Sequence, residues 1–94
     1  MKNQITIAGQ FSREAALSWK QKLKDMATAS SGLEIDMTAV TDADITGINA
    51  LATTQKLLSK NEQKLKIKVK NNSELAKLLG YTKLGAYMEV QFVN

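Results

Sequence analysis

The residues able to do chemistry in this chain gather in two places. Asp42 and Asp44 stand two positions apart, and Thr46, Gly47 and Asn49 follow them directly. Two carboxylates so placed can cap a helix, hold a divalent ion weakly, or present charge to a partner. The second group is a comb of Lys64, Lys66, Lys68 and Lys70. At period two these lysines read as the solvated face of a strand, guarding against edge-to-edge pairing. The chain has no His and no Cys. Ser-His-Asp, Cys-His, His-based zinc and disulfide chemistry are therefore excluded. Only carboxylates, lysines and hydroxyls remain, with no paired constellation and no phosphate loop. An enzyme is not expected, nor a cofactor. Asp42 and Asp44 alone make a poor metal cage, so no metal site is expected.

Ninety-four residues allow one domain, taken as 1–94, and 44% hydrophobic against 23% charged residues is an ordinary globular balance. The net charge is +4, from 12 Lys and one Arg against nine acids, with only five aromatic residues. Base readout and phosphate forks favour Arg, and single-strand binding needs aromatic platforms, so nucleic acid is not an expected partner. No apolar run approaches the roughly 18 residues of a span, and no signal-like apolar block opens the chain. No membrane insertion and a cytoplasmic location are the expectations.

Hydrophobic periodicity supplies the elements that must hold these residues. A short strand is predicted over 4–8, with Ile5 and Ile7 on one face and Gly9-Gln10 as its break. Ser12 is the predicted cap of a first helix carrying Ala16, Trp19, Leu23 and Met26, which ends in the run Ala27-Thr28-Ala29-Ser30-Ser31-Gly32. Leu33, Ile35 and Met37 alternate with polar residues in a second strand, and 41–44 read as a polar loop. Ile48, Leu51, Ala52, Gln55 and Leu58 form the stripe of a second helix, broken at Asn61-Glu62. Leu65, Ile67 and Val69 mark a third strand. Asn72 or Ser73 caps a short helix with Leu75, Leu78 and Leu79 that Gly80 can end. Residues 81–87 read as irregular or as a last helical turn. Met88, Val90 and Phe92 mark a fourth strand.

The predicted order is β-α-β-α-β-α-β, an α/β fold with a small, mostly parallel four-stranded sheet. Crossovers of this kind are right-handed, so strands in sequential order place every helix on one face. The alternation agrees, because strands covered on both faces would read as continuous apolar runs. In this order Glu34 and Asp36 lie beside Lys66 and Lys68, which lie beside Glu89, interleaving opposite charges.

Asp44 is placed to cap the second helix through the amides of Thr46 or Gly47, with its charge at the positive end of the helix dipole. Gly47 early in a helix costs about 1 kcal/mol relative to Ala. That cost implies that something packs close to its backbone, either another strand or a partner protein.

The run Leu33-Glu34-Ile35-Asp36-Met37-Thr38-Ala39-Val40, followed by Asp42-Ala43-Asp44-Ile45-Thr46-Gly47-Ile48-Asn49-Ala50-Leu51, resembles the core signature of STAS domains, the family of the anti-sigma factor antagonists. That pattern is an apolar strand, a short Asp-containing loop, then Asp-Ser-Ser/Thr-Gly-Leu-Gly and an apolar helix. Residues 12–28 resemble the first crossover helix and residues 64–70 the next strand. Ser73-Glu74-Leu75-Ala76-Lys77-Leu78-Leu79 with Tyr81-Thr82-Lys83-Leu84 resembles the penultimate helix and its tail. The resemblance implies the one-sided layout described above and a role in protein–protein switching.

It also implies a site. In the family a kinase-like anti-sigma factor binds at this loop and phosphorylates the Ser or Thr directly after the loop Asp. Here that position is Ile45, which has no hydroxyl, and Thr46 becomes the candidate phospho-acceptor. The partner-binding set carried over is Asp42, Asp44, Ile45, Thr46, Gly47, Ile48 and Asn49. The implied partner is a serine-kinase-like anti-sigma factor or another signalling complex. Other members serve phospholipid-transport assemblies, so an accessory subunit docking on a transporter ATPase is the alternative. The protomer is expected to be a monomer or a weak homodimer, pairing through its open sheet face.

Overall fold

The computed structural model describes residues 3–29, 32–83 and 88–93. Its elements are β1 (Asn3–Phe11), α1 (Arg13–Ala29), β2 (Leu33–Ala43), α2 (Ile45–Ser59), β3 (Leu65–Lys70), α3 (Glu74–Thr82) and β4 (Glu89–Val93). The four strands form one sheet in the order β1-β2-β3-β4, and every neighbouring pair is parallel. The β-α-β-α-β-α-β layout read from the sequence is therefore the observed one.

The apolar alternation fixes which face is covered. Ile7 and Phe11 of β1, Leu33, Ile35 and Met37 of β2, and Leu65, Ile67 and Val69 of β3 are all buried in one cluster. Leu23 and Ala27 of α1, Ile48, Leu51 and Leu58 of α2, and Leu75 and Leu79 of α3 close over it. Trp19 and Met26 pack at its margin. On β4 the pattern weakens toward its end. Met88 is buried and Val90 partly buried, but Phe92 is half exposed, because β4 is an edge strand with a neighbour on one side only.

The polar face keeps the predicted charge pairing. Glu34 lies opposite Lys66, Asp36 opposite Lys68, and Lys66 opposite Glu89. Lys66 Nζ stands 3.8 Å from Glu89 Oε2, with both side chains about half exposed, where such a pair contributes under about 1 kcal/mol.

Several boundaries differ from the sequence expectation. Strand β1 does not break at Gly9-Gln10. Gly9 adopts φ +75, which costs glycine little, and the strand runs on to Phe11. That extension gives β2 a partner beyond Val40: Gln10 lies opposite Asp42, and Phe11 opposite Ala43. Residues 41–43 are consequently strand, not loop. Register shifts between Thr6 and Ala8 and between Gly9 and Gln10 each give β2 one residue more than β1, as bulges do. At the first shift Asp36 Oδ1 accepts from the amide of Thr38 at 3.0 Å and from its hydroxyl at 2.7 Å.

Helix α3 is capped by Ser73, whose hydroxyl accepts from Ala76 N at 3.1 Å. It continues through Gly80 to Thr82 and stops at Lys83, which takes the left-handed conformation (φ 59). Gly80 is thus a helical residue and not the stop. The Thr82 hydroxyl bonds back to Leu78 O at 2.9 Å. The expected helix end at Ser30-Ser31 and the segment 84–87 lie outside the described residues.

Candidate functional site

The junction between β2 and α2 is held by Asp44. Its backbone is extended, and Oδ1 accepts from Thr46 N at 3.0 Å and Gly47 N at 3.2 Å. These are two of the amides that a helix start leaves without intrahelical partners. The cap read from the sequence is the one observed. The other carboxylate oxygen does something the sequence did not announce. Oδ2 accepts from the amide of Arg13 at 3.1 Å, joining the start of α1 to the start of α2. Arg13 sits there with φ 50, a conformation that few non-glycine residues adopt.

Ser12 was expected to cap α1 with its hydroxyl. Instead its Oγ donates to Asp42 Oδ2 at 3.1 Å and accepts from Gln10 Nε2 at 3.0 Å. The reason is the extension of both strands, which brings Gln10 and Asp42 level with each other and with Ser12. Ser12 is buried, so its hydroxyl needs such partners. Asp42 and Asp44 therefore both bind the β1–α1 turn, through different groups.

Gly47 has a structural explanation. A β-carbon there would stand 2.6 Å from the Phe11 carbonyl oxygen and 2.7 and 2.8 Å from its ring carbons Cδ2 and Cε2. The close neighbour implied by the sequence is the chain's own β1. Phe11 itself was missed, although it continues the odd-numbered series of Ile5 and Ile7 past Gly9.

The seven residues carried over from the family resemblance separate into two groups. Gly47 and Ile48 are buried and serve the core. Asp42, Ile45 and Asn49 are exposed, and Asp44 and Thr46 are half-buried. Ile45 opens α2 with 58% of its surface in water. Thr46 gives its amide to the cap, and among the described residues its hydroxyl has no hydrogen-bond partner. The junction thus shows water an apolar residue, a hydroxyl and two carboxylates, all on backbone fixed by Asp44. Among the described residues no group of three or more carboxylates is placed to hold a metal ion. No helix among them is long and apolar enough to cross a membrane.

On the sheet's open face Asp36 is held below the usual carboxylate range. The Thr38 hydroxyl contributes most, then the Thr38 amide; desolvation opposes them, and the charge of Lys68 adds the smallest share. No protein-family model matches the chain, and no curated protein matches it.

Proposed function

We propose that this chain is a regulatory docking module of the STAS type, bound by a protein partner at the β2–α2 junction and performing no bond-making of its own. The partner contacts Asp42, Asp44, Ile45, Thr46 and Asn49, while Gly47 and Ile48 hold the shape of the site from within. The exposure of Ile45 carries this reading. An apolar side chain standing in water, ringed by polar groups and mounted on a capped helix start, has the composition of a binding hot spot. The parallel sheet in sequential order and the Asp44 cap also support the resemblance.

The partner is a kinase-like anti-sigma factor or another signalling complex. Because Ile45 occupies the position where the family carries its hydroxyl, docking does not depend on a phosphate there. Thr46 is the remaining acceptor. Phosphate on Thr46 would add roughly −1.5 to −2 charge next to Asp42 and Asp44, weakening contact with an acidic partner surface.

The test is affinity capture of a kinase-like anti-sigma factor with the full chain and with Ile45→Asp and Thr46→Ala, followed by intact mass after co-expression with the captured kinase. Loss of capture with Ile45→Asp supports the site. Capture unchanged by both substitutions removes it. Co-purification with a transporter ATPase in place of a sigma regulator would move the assignment to the accessory-subunit reading.

A further inference from the structure

A wide cleft runs along α2 from Asn49 to Ser59 and on to the turn that follows the helix. It is a cleft of about 760 Å³ between Lys20 of α1, the outer face of α2 and the α2–β3 turn. Pockets that take small organic ligands have volumes of roughly 300–1,000 Å³. Three lysines from three different segments line it, Lys20, Lys56 and Lys64, against one acid, Glu62. These lysines differ from those of the sheet face. Lys66 and Lys68 lie opposite carboxylates on neighbouring strands, whereas among the described residues none of Lys20, Lys56 and Lys64 is paired with one.

The cleft also has a fixed polar group in its wall. Gln55 lines it and is only 7% exposed. Its Oε1 accepts from Leu65 N at 2.7 Å, which anchors the amide group. Among the described residues no acceptor engages its Nε2. Among the described residues no buried side-chain nitrogen or oxygen lacks a partner, so Nε2 reaches solvent, a donor held in position by the anchored amide. The turn forming the far wall is itself held in place. The amides of Asn61 and Gln63 bond to Leu58 O, each at 3.0 Å, and Glu62 N bonds to Ser59 O at 3.1 Å. A wall fixed in advance lowers the ordering cost of binding.

We infer that this cleft binds a small organic polyanion, its phosphate or carboxylate groups meeting Lys20, Lys56 and Lys64 and one of its oxygens accepting a hydrogen bond from Gln55 Nε2. Lysine ammonium groups bind phosphate as point charges, and Ala52 with the lysine stems gives the ligand body an apolar floor. The cleft meets the proposed docking surface at Asn49, which lines both, while Lys20, Lys56 and Lys64 lie outside that surface.

The experiment is a nitrogen–proton NMR titration of the full chain with fructose 1,6-bisphosphate, with citrate and with neutral fructose. The expected result is saturable shifts in residues 49–64 and in the Gln55 side-chain amide with at least one anion, and none with fructose. Saturation by the bisphosphate alone assigns phosphate, by citrate alone carboxylate, and by both the shared anionic chemistry. Lys56→Ala and Lys64→Ala, both at exposed side chains, should keep the wild-type spectrum and each weaken binding at least about fivefold. The proposal is overturned by the absence of saturable shifts with either anion at about 10 mM, well above a millimolar Kd. Shifts centred on Lys66 and Lys68, or affinity unchanged in both lysine variants, overturn it equally.

Discussion

The amide of Arg13 donates to Asp44 Oδ2 at 3.1 Å, so the residue that caps α2 also fixes the first residue of α1. Three backbone amides converge on this carboxylate, and one of them belongs to a residue with positive φ. Losing a cap costs about 0.5–2 kcal/mol, and the Arg13 bond adds to that because its acceptor is charged. Asp44→Ala is expected to lower unfolding free energy by about 2 kcal/mol, read as a shift of the urea midpoint at constant slope. Asp44→Asn keeps an Oδ1 acceptor for Thr46 and Gly47 but offers Arg13 an amide, so it should fall between the two. Equal loss in both variants would show that the Arg13 bond, and not the cap, dominates.

Gly47→Ala tests the contact with Phe11. In an open helix this change would stabilise by about 1 kcal/mol. Here the new methyl carbon meets Phe11 O at 2.6 Å, and a backbone oxygen cannot move aside as a flexible side-chain end can. Overpacking of this kind costs about 1–3 kcal/mol. The net expectation is a lower Tm, by several degrees for a domain of this size. A raised Tm would show that β1 and α2 can separate without loss.

The strands were legible in the sequence because the middle of each alternates, a local signal, and one covered face with right-handed crossovers then argued for sequential order. Leu33, Ile35 and Met37 against Glu34 and Asp36 give both the strand and its covered face. The Asp44 cap was legible for the same reason, since its two helix bonds reach residues two and three positions on. What escaped was long-range. Gly9 reads as a break unless its positive φ is known, so Phe11 was left out of the sheet. Without Phe11 neither the strand character of Asp42 nor the reason for Gly47 could be seen. The Ser12 hydroxyl follows from the same omission, because its partner Asp42 lies 30 residues away. Local rules assign a serine before a helix to its own cap, and only the strand pairing diverts it.

Acid should act on the open sheet face through Asp36. Its carboxylate is favoured in the folded chain by the Thr38 hydroxyl and amide and by Lys68, so the folded pKa lies below the unfolded one. Such a group stabilises the fold above the unfolded pKa, roughly 3.9 for Asp, and the contribution is lost as pH falls through the folded value. Asp36→Asn should therefore narrow the stability difference between pH 6 and pH 3, about the ends of that window. Thr38→Val should raise the Asp36 carboxyl titration midpoint followed by NMR. An unchanged midpoint in Thr38→Val would detach the shift from this turn.

Ile45→Asp separates docking from folding. With 58% of its surface already in water, Ile45 contributes little to the core, and surface changes usually stay within about 0.5 kcal/mol. An acid in the first turn also faces the positive end of the helix dipole, worth about 0.3–1 kcal/mol, which offsets repulsion from Asp42 and Asp44. The expected Tm is within about 4 °C of the parent. Partner affinity should fall by about 2 kcal/mol or more, roughly thirtyfold, as for an apolar anchor replaced by a charge. Tyr81→Asp, at the 80% exposed residue near the end of α3, removes comparable apolar surface elsewhere and should leave affinity unchanged. If both variants bind as the parent does, the β2–α2 junction is only a well-made helix start, and the partner surface lies on another part of the molecule.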